Sequence, residues 1–166
     1  MITYVKGDAT RPRVLRGRRV IVHVCNDKGG WGAGFVLAIS KRWEEPERRY
    51  RKWASTGHEL NAGAFELGNV QWCLVRDDRP ESAGDPINVV NMVAQDGYGT
   101  PGRIPLRYDA LEKCLLKVAA EVKDPGGECS VHLPRIGCGL AGGTWAEVGP
   151  IVEKALAGVD VYVYDL

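Results

Sequence analysis

The sequence has no hydrophobic run long enough to cross a bilayer. Its longest near-apolar stretch, Val20 to Cys25, is short and is interrupted by His23. Its opening, Met1 to Lys6, has no charged leader followed by an apolar core, so no secretory signal is expected. The five cysteines, Cys25, Cys73, Cys114, Cys129 and Cys138, are odd in number and include no Cys-x-x-Cys pair, which argues against a disulfide framework and against a zinc site. Charge of one sign is also lacking. The 22 basic and 21 acidic residues leave a formal net charge of +1, far from the excess of a protein that holds nucleic acid by bulk charge. There is no Gly-x-x-x-x-Gly-Lys-Ser/Thr phosphate loop and no Gly-x-Ser-x-Gly elbow, which removes an ordinary P-loop ATPase and a serine hydrolase. No repeat, low-complexity tract or linker interrupts the chain. These absences lead to the expectation of one domain over residues 1–166, reducing and cytoplasmic, monomeric, without a membrane partner, bound metal or cofactor.

What is present is the composition of a globular protein, 45% hydrophobic and 26% charged over 166 residues, with glycine enriched at 21. Strands are predicted at Ile2 to Lys6, Arg19 to Cys25, Asn69 to Arg76, Ile87 to Ala94, Cys129 to Pro134 and Val159 to Tyr164, with a polar hairpin-like loop from Asp77 to Pro86. Helical runs are predicted at Phe35 to Trp43 and Glu47 to Ala54. The clearest helix is Leu106 to Val122, where Tyr108, Leu111, Leu115, Val118 and Val122 recur by three and four and so share one face. Pro105 stands at its expected start and Asp124-Pro125-Gly126-Gly127 at its expected end. Thr144-x-x-Glu147 reads as a capping box opening a helix to about Leu156, with Pro150 removing one backbone bond inside it. Strands alternating with helices give an α/β class with a mostly parallel or mixed sheet.

The glycines concentrate in two places, Gly29-Gly30-Trp31-Gly32-Ala33-Gly34 and Gly137-Cys138-Gly139-Leu140-Ala141-Gly142-Gly143. Each follows a hydrophobic strand and precedes a helix. Ligands of open α/β sheets bind outside the carboxyl ends of strands. Helix N-termini there offer free N–H groups and partial positive charge, and glycine lets the backbone approach an anion closely. One such loop can cradle one phosphate, and two suit a diphosphate. The second loop also matches Gly-x-Gly-x-x-Gly with Asp165 downstream, a weak dinucleotide signal given how few residues follow it. Tight turns with no ligand are the rival reading of both loops.

The motifs resemble those of a macrodomain, the ADP-ribose-binding α/β family. The likeness rests on Val5-Lys6-Gly7-Asp8-Ala9-Thr10, on His23-Val24-Cys25-Asn26-Asp27 with Gly32-Ala33-Gly34-Phe35, on Pro134-Arg135-Ile136-Gly137-Cys138-Gly139-Leu140 followed by Trp145, and on Val163-Tyr164. The nearest branch is similar to that of the terminal ADP-ribose protein glycohydrolase and a macrodomain of a chromatin-remodelling ATPase. The resemblance implies a three-layer α/β/α fold around a central mixed sheet of about six strands. It implies that Asp8, with Ala9 beside it, holds the adenine amino group and that Tyr164 lies against the adenine ring. Gly32, Ala33, Gly34 and Phe35 are expected on one side of the diphosphate and distal ribose, and Ile136, Gly137, Cys138, Gly139 and Leu140 on the other. Asn26 is expected at the distal ribose hydroxyls, with Asn91 near the same ribose at the end of its strand. Met92 and Ala141 stand where the glycohydrolase has its lysine and aspartate, which argues against a covalent lysine–sugar route. Asn26 and Asp27 are then the candidate catalytic residues, with Asp96 as another carboxylate at a strand end.

Cys138 near an anion site, with His132 or His23, suggests a thiol hydrolase, but both histidines sit inside strands, where packing explains them. Arg11, Arg13, Arg16, Arg18 and Arg19 form one basic run, and Lys41, Arg42, Arg48, Arg49, Arg51 and Lys52 another. They read either as solvated surface or as a track for an acidic partner. Trp31 is either a cover for the distal ribose or a loop residue packed on its own domain. Three functions therefore stand open: a hydrolase releasing ADP-ribose from acidic side chains or nucleic-acid ends, a non-catalytic reader of ADP-ribose marks, and a nucleic-acid-associated protein using the arginine run.

Overall fold

The computed structural model describes residues 2–99, 102–123 and 127–166. β2 (Arg18–Asn26) shows how the sequence sets the layers. Val20 and Val22 point to one face and Ile21 and Cys25 to the other, so a nearly continuous apolar run is buried on both sides. β2 pairs in parallel with β6 (Ile87–Gln95) and with β7 (Cys129–Pro134). β7 pairs in parallel with β8 (Asp160–Asp165), and β8 with β1 (Ile2–Lys6). β5 (Val70–Val75) lies antiparallel on β6, completing a mixed sheet of order β1-β8-β7-β2-β6-β5. A two-stranded ribbon, β3 (His58–Glu59) with β4 (Gly63–Ala64), was not legible in the sequence. It is tied down by Arg49 Nη2 donating to Glu59 Oε1 at 2.6 Å.

Helices cover both faces. α1 (Phe35–Arg42) and α2 (Glu45–Thr56) bury Ile39, Tyr50 and Trp31 against Ile21, Cys25, Cys73 and Val89. α3 (Tyr108–Lys123) and α4 (Trp145–Ala155) bury Leu111, Leu115, Val118, Val148 and Val152 against Val20, Val22, Met92, Val131 and Leu133. This is the expected three-layer α/β/α arrangement. No described helix is long and apolar enough to cross a membrane.

Three local expectations change. α3 begins at Tyr108, not Leu106, and Pro105 lies ahead of it. The preceding residues are spent on β6 instead: Asp96 N donates to Pro105 O at 2.8 Å and Arg107 N to Ala94 O at 2.9 Å. The expected stop at Asp124 to Gly126 lies outside the described residues. Thr144 does occupy the N-cap of α4, but neither its side chain nor that of Glu147 makes a capping bond, so the expected capping box does not form. α4 runs through Pro150, and the residue whose carbonyl loses its partner, Ala146, is exposed to water.

Candidate functional site

The parallel strands place the ends of β2 and β7 side by side, and the two glycine loops rise from them facing each other. Between them lies a cleft of about 450 Å³. Its walls are Gly30 to Val36 from the first loop and Arg135, Ile136, Gly137, Gly139, Leu140 and Ala141 from the second. Gly34 is the N-cap of α1 with φ 81° and ψ −146°, and Gly137 has φ 73°. Both conformations disfavour any side chain. Among the described residues, the amides of Gly32, Ala33, Gly34, Gly137, Gly139 and Leu140 donate to no protein acceptor. Residues with unspent N–H groups thus line the cleft from both loops, which is what an anion cradle requires.

Asn26 organises the first loop. Its Oδ1 accepts from Lys28 N at 2.9 Å and Gly30 N at 3.1 Å, its Nδ2 donates to Gly30 O at 2.9 Å, and Tyr50 Oη donates to its backbone carbonyl at 2.6 Å. It lines the cleft with its amide committed to the loop. Asp27 is not on the cleft wall. Its Oδ1 accepts from Gly97 N at 2.8 Å, fastening the loop to the segment after β6. Asp96 is paired with Arg103 and Arg107 at 3.4 and 3.2 Å. The cleft lining includes no carboxylate and no lysine, so the candidate catalytic role of Asp27 is replaced by an anchoring one.

Asn91 also moves. The strand runs on to Gln95, so Asn91 is mid-strand and fully buried, with no route to a ligand. Its Nδ2 donates to Pro46 O at 3.2 Å and Gln71 Oε1 at 3.0 Å, which turns Oδ1 toward His23 Nε2 at 2.5 Å. That fixes the imidazole: Nε2 carries the hydrogen and Nδ1 keeps its lone pair. His23 is 2% exposed and forms part of the cleft floor, edge-on to Trp31 at 5.3 Å. Burial, against the Asn91 hydrogen bond, pushes its pKa down to about 4. The histidine is packed in its strand, as the sequence suggests, and it also lines the cleft, whose described lining does not include Cys138.

Tyr164 is 5% exposed and offers no open face for a ring. Its hydroxyl accepts from Arg13 N at 2.8 Å and is hydrogen-bonded with His132 Nδ1 at 2.7 Å, and its ring packs beneath Gly7. Asp8 stands at the end of β1, its Oδ1 holding Thr10 N and Oγ1 at 2.8 and 2.7 Å, with Ala9 buried beside it. Neither Asp8, Ala9 nor Tyr164 lies on the cleft wall. Cys138 is half-buried with Sγ 3.3 Å from Ile136 O, and partial burial raises its thiol, so it is no activated thiolate. Trp31 is packed, its Nε1 donating to Ser40 Oγ at 2.7 Å while it lines the cleft.

The segment Gly97-Tyr98-Gly99 was missed in the sequence. It spans the two loops: the Tyr98 ring lies against Gly30, and Gly99 packs on the Leu140 carbonyl. Glycines flanking an aromatic just after a strand were the available signal.

Burial pushes His132 down to about 3, with the charges of Arg19 and Arg79 adding to it. An unfolded histidine titrates near 6.5, so below that pH the unfolded chain takes protons that folded His23 and His132 refuse. Their contribution is full above pH 6.5 and is lost as pH falls toward the folded values. By pH 5 each histidine costs about 2 kcal/mol of stability. Urea unfolding at pH 7.5, 6 and 5 is expected to show that decline, and His132→Gln to flatten it. Equal stability at all three pH values would contradict the burial of these rings.

The fold and cleft define a class: a three-layer α/β/α domain that presents backbone amides from two glycine loops at the carboxyl ends of parallel strands. No family model matches the sequence. A solved macrodomain protein from Streptomyces coelicolor is 45% identical with a TM-score of 0.77, covering 100% of this chain and 99% of its own. The chain belongs to the macrodomain family. The chromodomain-helicase-DNA-binding protein 1-like of Mus musculus is 34% identical over 98% of this chain, which spans 17% of that relative's length. The ADP-ribose 1''-phosphate phosphatase of Saccharomyces cerevisiae is 25% identical over 99% of this chain and 98% of its own.

Proposed function

We propose that the chain binds ADP-ribose in the cleft between the two glycine loops and hydrolyses a mono-ADP-ribosyl bond at C1 of the distal ribose, releasing ADP-ribose. The observation that carries this is a cleft of about 450 Å³ whose described lining includes six residues with unspent backbone amides, drawn from both glycine loops. The expected arrangement seats the pyrophosphate between Gly32–Gly34 and Gly137–Leu140, with Asp8 at the adenine end.

Among the described lining residues, His23 offers a free basic nitrogen, Nδ1, and its lowered pKa makes it an effective base only when the bound diphosphate raises it. In the proposed reaction a water attacks C1, His23 Nδ1 takes its proton, and the bond from C1 to the ester oxygen breaks. The bonding pair leaves with an acidic side chain, which departs as a carboxylate. The bound diphosphate stabilises the imidazolium so formed. The similarity to the yeast phosphatases supports a second leaving group at the same carbon, a phosphate, which uses the same water and the same base.

The test is calorimetry with ADP-ribose, AMP and NAD, followed by incubation with glutamate-linked ADP-ribosylated protein and with ADP-ribose 1''-phosphate. Binding with release of ADP-ribose is expected. Binding without release from either substrate makes the chain a reader. His23→Gln is expected to keep ADP-ribose affinity within about threefold and to lower turnover by about 10²–10³-fold. Unchanged turnover removes His23 from the chemistry.

A further inference from the structure

A second cavity, of about 300 Å³, opens at the far end of α1 from the glycine cleft. It gathers residues from three separate segments: Thr10 and Arg11 after β1, Lys41, Arg42 and Trp43 at the end of α1, and Arg76 to Arg79 after β5. Five cationic side chains face two acidic ones. Of the acids, Asp77 is already consumed by Arg19 at 2.8 Å and Arg79 at 2.8 Å. Arg42 leans on the Asp8 turn, its Nε donating to Thr10 Oγ1 at 2.8 Å. Arg11, Lys41 and Arg76 have no ion-pair or hydrogen-bond partner for their side chains among the described residues, and all three are exposed. Trp43 lines the same cavity, its Nε1 tied to Arg76 O at 2.8 Å. Lys41 and Arg42 also suit the negative end of α1, but Arg11 and Arg76 serve no helix end.

We infer that this cavity is an anion subsite that receives a phosphate on the 2′ or 3′ position of the ligand's adenosine ribose. The assignment to adenosine rests on the proposed ADP-ribose reading, in which Asp8 faces the adenine end, and Asp8 and the cavity share Thr10 and Arg42. Gly34 and Trp43 cap opposite ends of α1, about 13.5 Å apart along its axis, too far for one phosphate to serve both and within the length of a dinucleotide. A nucleic-acid track is less well supported, because the first arginine run is dispersed. Arg13 donates to Lys6 O, Arg16 pairs with Asp85, Arg18 lies over Trp72, and Arg19 is sealed in the interior. What is left is a bounded cavity, not a stripe.

The experiment compares AMP, adenosine 2′,5′-bisphosphate, adenosine 3′,5′-bisphosphate and ADP-ribose by calorimetry at low salt, on the wild-type chain and on the exposed triple variant Arg11→Gln, Lys41→Gln, Arg76→Gln. One bisphosphate is expected to bind about tenfold tighter than AMP, and the variant to erase that gain while ADP-ribose affinity stays within about twofold. If both bisphosphates match AMP while ADP-ribose binds, the subsite is overturned and the cleft reading stands. If ADP-ribose and AMP fail to bind while a bisphosphate binds through these three cations, the cleft reading fails and the adenosine assignment falls with it. A single-stranded oligonucleotide that outbinds both bisphosphates and loses its affinity in the variant overturns the subsite in favour of a nucleic-acid track.

Discussion

Gly34→Val is expected to lower ADP-ribose affinity by at least about a hundredfold while the chain still folds. Two effects act together. The backbone at Gly34, φ 81° and ψ −146°, belongs to a region that valine enters only at a cost of about 1–3 kcal/mol. A Cβ there also lies 3.5 Å from Leu140 Cδ1, so the two valine methyls would reach from one glycine loop toward the other across the space assigned to the diphosphate. Relaxing the backbone misaims the amides, and holding it fills the cleft. Gly57→Ala is the control. It has a similar φ of 79° at the end of α2 with nothing near its Cβ, so it should lose some stability and leave binding intact. Thermal melting and calorimetry on both variants separate strain from occlusion. If Gly34→Val binds normally, the amide cradle is not the phosphate site.

Asp77→Ala is expected to cost about 3–5 kcal/mol, a large share of the stability of a domain this size. Asp77 Oδ2 takes Arg19 Nη1 and Arg79 Nη2, each at 2.8 Å, and its Oδ1 takes Arg79 N at 3.1 Å and Nε at 2.9 Å. Arg19 is 0% exposed and, among the described residues, has no other charged partner, only the carbonyls of Gly17, Val14 and Asp85. Removing the carboxylate strands a guanidinium in the interior. Burial alone would raise the pKa of Asp77, but the hydrogen bonds from Arg79 and Arg19 outweigh it and hold the carboxyl well below the usual carboxylate range. Its contribution is thus complete above the unfolded carboxylate pKa and is lost as pH falls through the usual range toward the depressed value. Denaturant titration of Asp77→Ala and Asp77→Asn at pH 7 checks the size. A loss under about 1 kcal/mol in both would mean that the network adds nothing net.

The parts of the fold that were legible are those written locally. Cys129 to Pro134 is a strand with the bounds its residues suggest, and the two glycine loops announce themselves by composition next to an apolar run. Errors fall where a partner distant in sequence decides. Pro105 looks like a helix start until Ala94 and Asp96 claim the backbone around it. The resemblance puts Asn91 beside a ribose at the end of its strand, yet Gln71, Pro46 and His23 satisfy its side chain in mid-strand, inside the core. Arg19 reads as one more surface cation in a basic run, and Asp77, far along the chain, makes it an interior residue. The cleft was legible as two glycine loops at neighbouring strand ends. That its wall carries a histidine and no carboxylate was not, since Asp27 and Asp96 are drawn away by Gly97, Arg103 and Arg107.

The pairing of β1 has a consequence for how the chain comes to its final form. Among the sheet strands β1 pairs only with β8, in a register joining Ile2 to Val161 and Lys6 to Asp165. Closing so long a loop carries a large entropic cost before any contact rewards it. The segment bearing Asp8 follows β1 and is synthesised before β8, so it waits unpaired until β8 is made. The Asp8 turn, tied to β8 through Gly7 N and Asp165 O, is thus held in place only after β8 has been made.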